Sequence, residues 1–256
     1  LLGGSRPSVP VLMAGGYYAE GKGLKELTSE FENYLEEGFQ HLKLMVGGES
    51  MAADLLRYVA LRKLLPPEIS LGVDANGSWK HPKEVLQWID QAQQSTGVPI
   101  SFLEEPLPPE EFPGTRFMRE RTNVPLAIGE FLAGRWEFRH WIEGGAVDIV
   151  RVDATTCGGI TEWKRVAALA DGWNLPQIPH YFPSIHIHLA LAFPGCGQVE
   201  VLSELGHNSS EYLITGRSYQ ISGGMAHPLD EPGLGLLINR EAVKKYSLHS
   251  ETVVYK

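Results

Sequence analysis

The sequence predicts an α/β protein, a closed TIM-type (β/α) barrel. Three observations carry this expectation. Short apolar runs alternate with amphipathic helical stretches, the connections between them are short, and eight strand candidates fall within the first four-fifths of the 256 residues. Alternation of this kind is the pattern of a parallel sheet with crossover helices. Closure suits it better than an open sheet, because no segment reads as an unpaired edge.

In chain order, the apolar run Val11–Tyr18 is the first strand and Leu24–Glu37 the first helix, followed by strand His41–Val46 and helix Met51–Leu65. Strand Ser70–Asp74 leads to helix Pro82–Thr96, and strand Ser101–Glu104 to helix Glu110–Arg121. Strand Leu126–Glu130 leads to helix Trp136–Glu143, and strand Asp148–Asp153 to helix Ile160–Asp171. Strand Gln177–His180, helix Ser184–Ala192 and strand Gln198–Val201 complete the set. Beyond Val201 the chain becomes rich in Gly and Pro (SGGMAHPLDEPGLGL) and is expected to pack as loops against the barrel. Residues 1–256 thus read as one barrel domain, with 1–9 a connection and 202–256 a packing segment. The opening LLGGSRPSVP resembles a link between elements, so an upstream segment is expected.

Composition narrows the function classes. A formal net charge of −9 disfavours non-specific attraction to nucleic acid or an anionic membrane, and neither partner is expected. No apolar run approaches the roughly 20 residues of a membrane span. Two cysteines speak against a disulfide framework and fit a cytoplasmic location.

The ionisable residues fall at strand ends. From the second strand to the eighth, the C-terminal ends carry Lys43, Asp74 with Asn76, Glu104, Glu130, Asp153, His180 and Glu200. One such carboxylate is commonly a helix N-cap. Seven strands in register imply more, because in a barrel these ends form one face and that face carries the chemistry. Asp74, Glu104 and Glu130, on adjacent strands, would repel and raise one another's pKa unless a cation neutralised them. A hard divalent ion with oxygen ligands, Mg²⁺, is the natural occupant. Glu105 alternates away from Glu104 and is read as its neighbour rather than a ligand. His180 has a side chain that titrates near neutrality, and Asp153 is placed to orient it. His186 and His188 read as packing or solvent contacts. Arg151 faces the same way as Asp153, with its partner carboxylate left open.

These segments resemble the barrel domain of the enolase superfamily, most closely its mandelate racemase subgroup. The matching segments are GFQHLKLMVGG, LGVDANGSW, FLEEPLPP, PLAIGE, VDIVRVDATTCGGITEW, IPHYFPSIHIHLA and QVE, spread over nearly the whole chain. The resemblance implies a modified (β/α)7β barrel, the superfamily's C-terminal domain, with the N-terminal capping domain absent from these residues. It implies Asp74, Glu104 and Glu130 as Mg²⁺ ligands and an Asp153–His180 dyad. It further implies Lys43 and a protonated Glu200 as contacts to a substrate carboxylate, with Asn76 a secondary contact. The shared chemistry is removal of the proton next to a carboxylate, through an enediolate held by the metal. A homo-oligomer is expected of a full-length form.

Members with bases on both faces of the substrate carry Lys-x-Lys at the second strand, where this chain has Lys43-Leu44-Met45. Met45 cannot accept a proton, so the expectation moves from racemase to dehydratase. The expected reaction turns a sugar acid, an aldonate or aldarate, into a 2-keto-3-deoxy acid. A racemase or epimerase with an unrecognised second base stays open, as does a non-catalytic barrel. Without a cap, catalysis is expected to be poor, because water reaches the site.

Overall fold

A computed structural model describes residues 2–4, 6–203, 216–249 and 251. Strands β1 (Val9–Gly15), β2 (His41–Met45), β3 (Ser70–Asp74), β4 (Leu103–Glu104), β5 (Leu126–Ile128) and β6 (Ile149–Val150) pair in sequence order, all parallel. Strand β7 (Val199–Leu202) pairs parallel with β1. Between β6 and β7 the ring closes through Gln177, which bridges in parallel to Val150 and to Cys196. The sequence assigns a full strand to Gln177–His180, and the structure gives it a reduced one. Ile178 N donates to Val150 O (3.1 Å) and His180 N to Val152 O (3.2 Å) on the β6 side, while on the other side, among the described residues, only Gln177 pairs, with Gly195 O (3.0 Å) and Gly197 N (3.3 Å). Pro176 precedes this stretch and Pro179 lies within it, and neither has an N–H to donate to a ladder.

Helices α1 (Leu24–Glu36), α2 (Met51–Leu64), α3 (Pro82–Thr96), α4 (Phe112–Arg119), α5 (Gly134–Glu143), α6 (Ile160–Gly172) and α7 (Pro183–Ala192) follow the strands. Local chemistry sets their bounds. In α1, Leu27, Phe31 and Tyr34 recur at helical spacing and are buried. Ser50 caps α2 by accepting from Ala53 N at 3.2 Å. Pro82 opens α3 and Gly97, at φ 69°, ends it in the left-handed conformation that favours glycine. No helix among the described residues is long and apolar enough to cross a membrane.

The tail differs from the loops expected for it. Strands β8 (Tyr219–Ser222) and β9 (Met225–Pro228) form an antiparallel hairpin, and β9 adds to β1 through Val9 and Ala226. A short helix, α8 (Arg240–Tyr246), follows. The hairpin turn is Gly223–Gly224, both at positive φ (56° and 73°), the backbone that a two-residue loop demands. Residues 204–215, 250 and 252–256 of the expected packing segment lie outside the described residues, as do residues 1 and 5 of the expected connection.

Two cores result. Leu42, Leu44, Leu71 and Val73 belong to the large core that includes the helices' buried residues. Leu12, Phe102, Ala127 and Ile178 form a separate cluster that plugs the lower barrel. A side chain at Gly72 would collide with the Phe102 ring, so glycine there makes room for the plug.

Candidate active site

Two residues above the plug, the interior turns ionic. Lys43 Nζ lies 2.8 Å from Asp74 Oδ2 and 2.8 Å from Glu104 Oε2, and it also contacts Glu200 Oε1. Arg151 Nε donates to Glu104 Oε1 at 2.6 Å and Nη2 to Glu200 Oε2 at 2.5 Å. Arg151 Nη1 donates to the carbonyls of Ile178 (2.9 Å) and Pro179 (3.3 Å). All of these side chains are buried, and charges in such a place persist only when paired. This answers the question the sequence leaves open about Arg151: it binds Glu104 and Glu200 together.

Above them, one oxygen from each of Asp74, Glu104 and Glu130 lies within 4.8 Å of the others. Burial, then the charge of Glu104, pushes Asp74 up to about 6. Burial, then Asp74 and Glu104, pushes Glu130 up to about 11. Glu104 differs. Burial raises it too, but Arg151 and Lys43 outweigh burial and hold it below the usual carboxylate range. Glu130 Oε2 is buried without a hydrogen-bond donor. With all four carboxylates ionised, Asp74, Glu104, Glu130 and Glu200 face two cations, Lys43 and Arg151, which leaves two negative charges over for a bound cation to neutralise. An all-oxygen donor set, a surplus of two charges and a donorless oxygen fit one hard divalent cation. Asn76 orients Asp74, donating from its backbone N and from Nδ2 to Oδ1, both at 2.9 Å. Glu105 points away and accepts from Gly129 N at 2.6 Å, its carboxyl pushed up to about 8 by burial.

The other half of the site is an imidazole. His180 Nδ1 lies 3.0 Å from Asp153 Oδ2, and Nε2 lies 3.4 Å from Glu130 Oε2. Thr155 fixes Asp153 by donating from N (2.7 Å) and Oγ1 (2.9 Å) to Oδ1. Burial raises Asp153, but the His180 hydrogen bond, His186 and the Thr155 N–H hold it below the usual carboxylate range. His186 is a packing residue. Burial pushes it down to about 4, so the neutral ring accepts from Ala154 N (2.9 Å) and donates to Tyr181 O (2.5 Å). His188 lies outside the site, with Nε2 3.2 Å from Leu234 O.

Backbone strain gathers at these strand ends. Five non-glycine residues among those described have positive φ, and four follow site residues: Asn76, Glu105, Tyr181 and Phe182. Strained backbone of this kind concentrates where side chains must be aimed. The consecutive pair Tyr181–Phe182 turns the chain directly from His180 into α7.

One sequence expectation is corrected. Glu200 does not carry a proton: burial raises it, but Arg151 and Lys43 outweigh burial and hold it far below the ordinary carboxylate range. It is fully buried, and Oε2 also accepts from Tyr181 N at 2.8 Å. Tyr17, just beyond β1, also belongs to the site and feels Lys43, Glu200, Asp74 and Glu104. Burial raises its phenol, which keeps it a neutral hydrogen-bond donor. Gly16, at φ 73°, breaks the pleat just before it, so simple alternation does not find this residue.

The structure thus brings a carboxylate triad that could hold a metal ion and an Asp–His pair to one mouth of a parallel barrel. The chain belongs to the Enolase C-terminal domain-like family, which matches residues 26–242. It is 30% identical to the arabinonate dehydratase of Saccharolobus solfataricus over 98% of this chain and 66% of that one. It is 28% identical to the L-talarate/galactarate dehydratase of Salmonella typhimurium over 94% of this chain and 58% of that one. The chain thus spans about two thirds or less of these relatives' length. Among solved structures, the L-talarate dehydratase from Polaromonas sp. JS666, complexed with Mg and L-glucarate, is similar at a TM-score of 0.82 and 28% identity. That likeness covers 95% of this chain and 65% of that one.

Proposed function

We propose that this chain is the catalytic barrel of a magnesium-dependent acid-sugar dehydratase. The observation that carries this reading is the meeting of two machines at one mouth: His180, held by Asp153, stands 3.4 Å from Glu130 of the carboxylate triad. Relatives named for arabinonate and for talarate or galactarate dehydration support the substrate class.

Asp74, Glu104 and Glu130 would hold Mg²⁺, which when bound supplies positive charge where a substrate carboxylate becomes a dianion. Asp153 fixes His180 Nδ1, which leaves Nε2 facing the mouth. Nε2 takes the proton from the carbon next to the carboxylate, and the C–H electron pair forms the new double bond. The resulting imidazolium gives that proton to the hydroxyl leaving the next carbon as water, and the enol settles to a 2-keto-3-deoxy acid. Burial opposes the Lys43 cation, but Asp74, Glu104 and Glu200 keep it charged. To meet a substrate carboxylate it would have to release one of these three partners, which Asp74 and Glu104 would allow once they hold Mg²⁺. Asn76, exposed at the mouth, is a second contact. Glu200 works through Lys43, which it orients as an anion. Half-buried Met45 offers no proton-accepting group, and this favours elimination over epimerisation.

Incubating aldonates and aldarates with Mg²⁺ in D₂O separates the readings. A 2-keto-3-deoxy product is the expected result. Deuterium at the α-carbon without elimination would make the protein an epimerase, and neither outcome across a broad panel would leave a barrel without this chemistry.

A further inference from the structure

Arg151 is absent from the chemistry above, yet it touches both halves of the site. Its fully buried guanidinium grips Glu104 through Nε and Glu200 through Nη2, and Nη1 is seated on the carbonyls of Ile178 and Pro179. Those carbonyls belong to the segment that carries His180. Glu200 is itself anchored from that segment by Tyr181 N at 2.8 Å. A planar guanidinium bound on all three nitrogens cannot rotate, and it passes that rigidity to the Glu104 carboxylate. Lys43 secures the other Glu104 oxygen at 2.8 Å, so the plane of this carboxylate is set by two cations.

We infer that Arg151 is a positioning residue that sets the cation selectivity of the triad. This rests on the reading of Asp74, Glu104 and Glu130 as metal ligands. Mg²⁺ demands near-ideal octahedral geometry, whereas Ca²⁺ accepts more oxygens in a flexible arrangement. A Glu104 locked in one orientation serves the small ion. A Glu104 free to swing costs Mg²⁺ affinity while leaving Ca²⁺ affinity nearly intact. Groups that orient metal ligands typically change affinity by roughly 10–100-fold when replaced.

The test is calorimetric titration of the chain with Mg²⁺ alone and with Ca²⁺ alone, for the wild type, Arg151→Lys and Glu200→Gln. Arg151→Lys keeps the charge and loses the fork. It is expected to weaken Mg²⁺ by about 10-fold or more and Ca²⁺ by no more than about 3-fold. Glu200→Gln keeps all three triad carboxylates and Arg151 itself, and removes the charged anchor of the Nη2 arm along with one of the three carboxylates around Lys43, so a smaller shift in the same ratio is expected. It gives the answer if Arg151→Lys does not fold. An unchanged Mg²⁺/Ca²⁺ ratio in the folded variants, whether both affinities hold or both fall together, would overturn the assignment and leave the metal site standing. A wild-type chain that binds neither ion would overturn the metal site itself, and this inference with it.

Discussion

The lower and upper layers of the barrel interior stand two residues apart on the same strands, and their chemistry is opposite. Gly72, Phe102, Ile149 and Ile178 lie in or beside the apolar plug, while Asp74, Glu104, Arg151 and His180 follow each of them by one pleat repeat. The plug is apolar and buried. The layer above holds charges that burial opposes and that mutual pairing sustains. The difference teaches a division of labour: the lower layer fixes the ring and the upper layer spends that rigidity on geometry. Substitutions in the two layers should therefore fail in different ways.

The sharpest break is His180→Asn. His180 is about a quarter exposed and packs at the mouth, so removing it should cost little stability. If it is the sole general base, turnover of an acid sugar should fall by roughly 10²–10⁴-fold. Thermal unfolding and a steady-state assay on the same preparation check both halves of that statement, and retained turnover would show that a second base exists. Phe102→Ala should do the reverse. Truncating a buried aromatic leaves a cavity, with an expected loss of about 3–5 kcal/mol in unfolding free energy. Mg²⁺ affinity of the protein that remains folded should change by less than about 3-fold, because Phe102 belongs to the apolar cluster and supplies no group to the ionic layer. A large loss of metal affinity would show that the layers are not separable.

The same two-residue step explains what could be read from sequence. Strand ends place Asp74, Glu104, Glu130, Asp153 and His180 on one face, because parallel strands in a barrel all end at the same side. Pairing was less legible. Arg151 faces inward by alternation, but its grip on both Glu104 and Glu200 depends on barrel curvature, which no local pattern encodes. The protonation of Glu200 went astray for the same reason, since two cations converge on it from strands more than 40 residues away. The hairpin at the tail was written in the sequence as two short runs around Gly223–Gly224, and it was hidden by the surrounding Gly and Pro. Strand Gln177–His180 is shorter in the structure than its apolar run suggests, because Pro179 has no N–H to extend the pairing beyond Gln177 on the β7 side.

The smallest and most discriminating effect concerns protons in the upper layer. Without metal, Glu130 stands at about 11 and Asp74 at about 6, whereas Glu104, held by Arg151, stays below the ordinary range. A hard cation requires all three ionised. At pH 7 Glu130 therefore carries a proton that Mg²⁺ must displace, while Asp74 is mostly ionised. Binding should release about one proton per ion, and affinity should rise about tenfold per pH unit between 6.5 and 8, the equivalent of roughly 1.4 kcal/mol. Below about pH 6 Asp74 adds a second proton and the slope should steepen. Stability of the metal-free chain runs the other way for these two groups. Their folded pKa values lie above those of the unfolded chain, so the folded form binds more protons and loses stability as pH rises from about 4. Titrations in two buffers of different ionisation enthalpy measure the proton count directly. A count of zero at pH 7 would show Glu130 already ionised in the free chain, and would shift the work of neutralising the triad from the incoming ion to Lys43 and Arg151.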